Sequence, residues 1–262
     1  MKYTVLTLFP EITDTFFATS IMAKAIKKGI IEYCAVNIRD FAADKHKTCD
    51  DAPYGGGPGM LMLPEPLDLA IKHALSASEN AEKPRIIYLS PSGRPFNQGL
   101  AREFSAEKEL LLICGRYEGI DQRIIDRYVD DEISVGDYVL SSGEVAALAV
   151  IDATYRLVDD VICADSLTEE SFSDGLLEYP QFTRPEVFDT MKVPEILLSG
   201  HHEQIRLWRL EKRVEKTLRF RPDLIKRGRE IADGVSGGFN KEINSIIERL
   251  VRASEGEKNE RD

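Results

Sequence analysis

Three short apolar runs, each closed by a turn residue, constrain this chain more than any other feature. They are "YTVLTLF" at 3–9, before Pro10, "RIIYLS" at 85–90, before Pro91, and "LLLIC" at 110–114, before Gly115. Each is short, apolar and bounded by a breaker, so each reads as a buried strand. Between them the period changes. Phe16, Phe17, Ile21, Ala25 and Ile26 recur at helical spacing before Gly29, which reads as a C-terminal cap. Leu67, Ile71, Ala74 and Leu75 follow the Pro-rich "MLPEPLD" in the same way. Strand and helix in alternation imply an α/β domain with a largely parallel sheet, and in such sheets ligands gather beyond the carboxyl ends of the strands.

Three loops occupy those positions: "SPSGRPFNQ" at 90–98, "GRYEGIDQR" at 115–123 and "VGDYVLSSGE" at 135–144. A fourth, "YGGGPGM" at 54–60, is the most glycine-rich stretch of the chain. It is either a plain surface turn or a backbone surface that a flat ligand can approach closely. After the third loop, "VAALAVIDATYRLV" reads as an apolar helix ending near Arg156.

Beyond that helix the composition shifts. The segment "DDVICADSLTEESFSDG" is acidic and irregular and reads as a linker. A long helix follows, with Leu207, Leu210, Val214 and Leu218 on one stripe and Arg206, Arg209, Arg213 and Lys216 on another. The apolar stripe should pack. The basic stripe is either an ordinary solvated face or a surface for a phosphate backbone, with Trp208 beside it. The expected organisation is an α/β domain over 1–159, a linker over 160–175, a helical domain over 176–252 and a disordered tail over 253–262.

The net charge of −11 argues against wholesale coating by nucleic acid, DNA included, while leaving room for a local basic patch. No apolar run approaches a membrane span, and the opening "MKYTVLTLFPEITD" alternates like a strand rather than an export signal. The four cysteines (Cys34, Cys49, Cys114, Cys163) form no CxxC pair, so a reducing cytoplasm fits better than a disulfide framework. The glycine-rich loop lacks the GK[ST] of a P-loop, no GxGxxG opens a helix after the first strand, and neither HExxH nor GxSxG occurs. What remains is chemistry by positioning, electrostatics and proton removal.

Six segments in order carry a resemblance: "YGGGPGM", "YLSPSGRPFNQ", "CGRYEGIDQR", "VGDYVLSSGE", "DGLLEYPQFTRPE" and "VPEILLSGHHEQIRLWR". Together they resemble the bacterial tRNA (guanine-N(1)-)methyltransferases of the SPOUT class, over the chain up to about Leu224. The resemblance implies a SPOUT-type deep trefoil-knotted domain with a mostly parallel sheet, a small helical carboxyl-terminal domain, S-adenosyl-L-methionine as methyl donor, tRNA as substrate and a homodimer with active sites at the subunit interface. Magnesium (Mg2+) dependence is a family expectation without an assignable ligand.

By the same resemblance the cofactor would lie against Tyr88, Leu89, Ser90 and Pro91, then Gly115, Tyr117 and Glu118, then Val135, Gly136, Asp137, Tyr138, Val139 and Leu140, with Ser142 and Gly143 closing the third loop. Ser142 stands where relatives often carry Gly. Glu118 either favours the sulfonium charge or a ligand hydroxyl, or forms a surface ion pair with Arg116 or Arg123. Arg156 matches the family's catalytic arginine and is assigned to the guanine oxygen. For the general base, Glu170 holds the position where relatives usually carry Asp before "SF", and Asp174, before Gly175, is the other candidate. Arg206, Arg209, Arg213 and Lys216 would hold tRNA phosphates. Two alternatives stay open at this point: a SPOUT methyltransferase with another RNA target, and a non-catalytic RNA-binding regulator.

Overall fold

The computed structural model describes residues 1–78, 82–163, 170–232 and 239–259. The chain divides into two compact units, Met1–Ala164 and Asp165–Asp262. In the first, β1 (Lys2–Thr7), β2 (Glu32–Asn37), β5 (Arg85–Pro95), β6 (Glu109–Cys114) and β7 (Asp131–Ser134) form a sheet in the order β2-β1-β6-β5-β7. Each neighbouring pair is parallel. A two-residue antiparallel pair, β3 (Asp50–Asp51) with β4 (Leu61–Met62), lies apart from it.

The central strands are apolar throughout because both faces of the sheet are covered. Along β6, Leu110, Leu112 and Cys114 enter one core while Leu111 and Ile113 enter the other, as the two-residue period of a strand requires. The first core is closed by α1 (Pro10–Phe17), α2 (Ser20–Lys27), α4 (Gln98–Ser105) and α6 (Gly143–Tyr155), through Phe17, Met22, Phe104, Ala147, Val150 and Ile151. The second is closed by α3 (Pro64–Ser76) and α5 (Gln122–Tyr128), through Leu67, Ile71 and Ile124.

Three features depart from the sequence expectations. The helical pattern across Phe16–Ile26 is two helices, because Ser20 adopts a left-handed φ of 55° and turns the chain between them. Its end is as expected: Gly29 has φ 71°, its amide reaches Ile26 O at 2.9 Å, and the Ile30 amide reaches Ala25 O at 3.0 Å, the paired bonds of a Schellman stop. Second, β2 and β7 are additional strands. The sequence of β7, "DEIS", is acidic, and it is held by Arg85 (Nε to Asp131 at 2.6 Å) and by Arg94 on the same carboxylate. Burial pushes the Asp131 carboxyl up, and the two guanidiniums outweigh it, leaving the group below its ordinary range. Third, β5 runs on to Pro95. Leu89 and Arg94 both face Ile133, so residues 90–93 loop out of the ladder.

The second unit contains a small hairpin, β8 (Val187–Phe188) with β9 (Met191–Lys192), then α7 (His202–Phe220), α8 (Pro222–Ala232) and α9 (Lys241–Asn259). Leu176, Leu210, Val214, Ile225, Phe239, Ile243 and Ile247 form its core. The helix α9 runs as far as Asn259, within the span 253–262 expected as a disordered tail; residues 260–262 lie outside the described ones. Among the described residues no helix is long and apolar enough to cross a membrane.

Candidate active site

The carboxyl ends of β5, β6 and β7 open into one cavity of about 310 Å³. Every residue assigned above to the cofactor lines it except Asp137, which points into solvent. The sequence reading missed Ser92, Arg116, Gly119, Ile133, Ser134, Ser141 and Ala146 on the same wall. Arg116, Gly119, Ser92 and Ser141 sit inside loops already singled out; Ile133 and Ser134 belong to β7, whose acidic start hid it.

Missing side chains make the cavity. A Cβ on Gly143 would lie 2.7 Å from Gly115 N and 2.8 Å from Cys114 Cα, closer than real atoms approach. That proximity lets the Gly143 amide donate to Gly115 O at 2.8 Å, while Ser142 bridges Arg116. The start of α6 is thereby paired to the loop after β6. Ser142 itself has an extended backbone (φ −162°), so a serine stands there without strain. Gly115 gives room to the Tyr88 ring, whose hydroxyl would be 3.0 Å from a Cβ. Burial pushes the Tyr88 phenol up to about 12, with the Glu132 charge adding to it, so this hydroxyl stays protonated across physiological pH.

The glycine-rich loop at 54–60 joins the site by one edge. The Glu118 amide donates to Met60 O at 3.0 Å, the Met62 amide donates to Gly119 O at 3.0 Å, and the Glu118 side chain occupies the space a Cβ on Gly59 would need. Around the other three glycines there is open space, so they serve the turn. Glu118 is not in the surface ion pair considered above. Arg123 pairs with Asp121 at 2.7 Å, and the Arg116 guanidinium lies 4.7 Å from the Phe9 ring centre. A carboxylate therefore borders a cavity whose other walls are backbone, tyrosine, serine and aliphatic side chains with Arg116.

A family model described as tRNA (Guanine-1)-methyltransferase TrmD matches residues 1–227. The chain belongs to this family. It is similar to the tRNA (guanine-N(1)-)-methyltransferases of Treponema denticola (63% identical over 250 residues, 95% of this chain and 99% of the relative) and Treponema pallidum (56% over 250 residues, 95% and 96%). That of Borreliella burgdorferi is 57% identical over 243 residues, 92% of this chain and 99% of the relative. The tRNA methyltransferase is an enzyme of guanine N(1) modification, which sets aside the regulator and the other RNA targets.

Of the remaining assigned residues of the methyltransferase, Arg156 belongs to the same unit as the cavity and does not line it. Arg156 caps the far end of α6, whose first residue lines the cavity. From Ala146, also on the cavity wall, to Arg156 the helix runs roughly 15 Å, beyond the reach of an arginine side chain. Glu170 opens a turn in the second unit, where its carbonyl accepts from Ser173 Oγ at 2.7 Å. The Asp174 carboxylate accepts from the Leu176 amide at 3.3 Å and forms an ion pair with Arg213. Among the described residues no three of His, Cys, Asp and Glu converge as a metal-ligand set.

On α7 one member of the basic stripe is buried and two others have partners within the unit. Arg213 is only 8% exposed, because Asp174 and the Leu177 carbonyl (3.3 Å) draw it inward. Arg206 is clamped between Glu203 and Glu242 by four bonds of 2.8–3.0 Å. The Arg209 guanidinium lies 4.6 Å from the Tyr179 ring centre, and Lys216 is half-buried. Of the expected apolar stripe, Leu210 and Val214 are buried and Leu207 is exposed.

Proposed function

We propose that the enzyme transfers the methyl group of S-adenosylmethionine to N(1) of the guanine on the 3′ side of the tRNA anticodon, as a cytoplasmic homodimer whose active sites combine residues of both subunits. The observation that carries the cofactor assignment is the convergence of three strand-end loops on one cavity. Its composition fits the group: close backbone and aliphatic walls suit a flat adenine, and Glu118 suits a sulfonium or a ribose hydroxyl. When bound, S-adenosylmethionine supplies an electrophilic methyl on a positively charged sulfur. The pairing of Gly143 with Gly115, and the close passage of Gly93 over the Glu132–Ile133 backbone, support reading this interlaced region as the deep trefoil knot of the SPOUT class, an exception to the rule against threading.

Guanine N(1) carries a proton, so a base must remove it as the new bond forms in line with the sulfur. Glu170 takes that role. The alternative, Asp174, already serves a turn and the Arg213 ion pair. Arg156 steadies the charge that develops on the guanine oxygen. Because Arg156 sits a helix length from the cavity of its own subunit, it serves the cavity of the other. That separation supports the dimer.

The test is subunit complementation with labelled cofactor and unmodified tRNA. Arg156→Ala and Gly143→Ala homodimers should each be nearly inactive, whereas mixed dimers should recover one intact site in each heterodimer. Absence of recovery, with heterodimers verified by mass, would place Arg156 and the cavity in one subunit.

A further inference from the structure

The second unit holds a cavity of about 540 Å³ that no role above explains. Its walls include Tyr179, Phe182, Leu197 and Leu198, and its polar groups include Arg184, Glu186 and Arg209. We propose that it is a second RNA-contact site of the enzyme, which takes one unpaired nucleobase of the tRNA.

Three features point to a base rather than to another occupant. The first is a flat surface. Phe182, 47% exposed, lies against Trp208 with ring centres 6.4 Å apart and planes tilted by 53°, beside the buried Tyr179 held by the Arg209 guanidinium. A half-exposed aromatic ring held by its neighbours is a stacking platform, and every base has a face to stack on it. The second is charge. The exposed Arg184 stands on the wall with the carboxylate of Glu186, which suits a nucleotide with its phosphate near Arg184 and its amino edge toward Glu186. The third is the partner. This family's substrate is tRNA, whose loops present splayed bases, and the stripe on α7 that the sequence offered for phosphates is occupied by Glu203, Glu242 and Asp174. The cavity beside that helix offers this unit a further grip on the RNA.

The experiment measures equilibrium binding of an unmodified tRNA transcript by full-length protein at several salt concentrations, alongside calorimetric binding of S-adenosylhomocysteine. Phe182→Ala should weaken tRNA binding roughly 5- to 150-fold while cofactor affinity is unchanged, and Phe182→Trp should restore it. Arg184→Gln should weaken binding and lower the slope of log affinity against log salt by roughly one. Unchanged tRNA affinity in Phe182→Ala overturns the proposal, as does an equal loss in Phe182→Trp. Dissociation of the Phe182→Ala dimer in sedimentation would also overturn it, by showing the cavity to be a contact between subunits. A melting curve matching wild type establishes that each variant is folded.

Discussion

The two units of this methyltransferase use glycine and arginine in opposite ways. Around the strand-end cavity of the first, the decisive contacts are absences: Gly143 against Gly115, Gly93 against β7, Gly59 against Glu118. In the second, long cationic side chains are turned to structure: Arg213 seals Asp174, and Arg206 fastens α7 to α9 through Glu242. A site made of backbone approaches has no slack, because an added methyl group must displace main chain. A surface made of side chains can give up one member and keep its shape. The first should break abruptly and the second by degrees.

The largest effect is expected at Gly143. Gly143→Ala should abolish methyl transfer and weaken S-adenosylhomocysteine binding by at least about 100-fold, since the start of α6 must move away from the loop it pairs with, at a cost on the order of 3 kcal/mol. The neighbouring Ser142→Gly, at an extended backbone position, should stay within about threefold of wild type. Calorimetric titration of both variants checks the contrast. Near-normal binding by Gly143→Ala would show that the pairing of α6 with the loop after β6 does not shape the cavity.

Next come the two carboxylates of the second unit. Glu170→Gln should lower kcat by about 10²–10⁴ with cofactor affinity intact, the loss of a general base. Asp174→Asn should instead lower the melting temperature, by the equivalent of about 1–3 kcal/mol, because it leaves the buried Arg213 guanidinium without its anion while Asp174 itself is partly in water. Single-turnover kinetics and a thermal melt on each variant separate the roles. A kcat loss confined to Asp174→Asn would move proton removal to that residue.

The same contrast explains what the sequence made legible. The strands at 3–7, 85–89 and 110–114 and the loops after them are local patterns: apolar runs ended by Gly or Pro, whose consequences follow within a few residues. Tyr88, Gly115, Glu118 and Leu140 lie in or beside those loops, and the resemblance carried by the ordered motifs brought them together; all four line one cavity. The strand β7 was not, because "DEIS" becomes a strand only when Arg85 and Arg94, some forty residues earlier, neutralise Asp131. The fate of Arg213 was hidden for the same reason. Helical spacing places it on a stripe with Arg206 and Lys216, and only tertiary structure brings Asp174 and the Leu177 carbonyl to it. Charge at a position is readable from sequence; the partner that claims it is not.

The smallest effect sharpens that last point and comes from Arg206. With both of its carboxylate partners in place, its donors are engaged, so Arg206→Ala should change tRNA affinity by less than about threefold. Glu203 and Glu242 are both held below the usual carboxylate range by bonds from this guanidinium, so they stay ionised and the clamp stays closed at neutral pH. Replacing both, Glu203→Gln with Glu242→Gln, should free one cation on an exposed helix. Binding of tRNA should then tighten by roughly three- to tenfold at low salt, with a salt slope steeper by about one, since a released guanidinium adds one phosphate contact. Tighter binding that persists at high salt would mean that the substitutions act through the packing of α7 on α9 rather than through charge. A loss of affinity would mean that the clamp itself shapes the RNA surface, and that the second unit tolerates less than its side-chain construction implies.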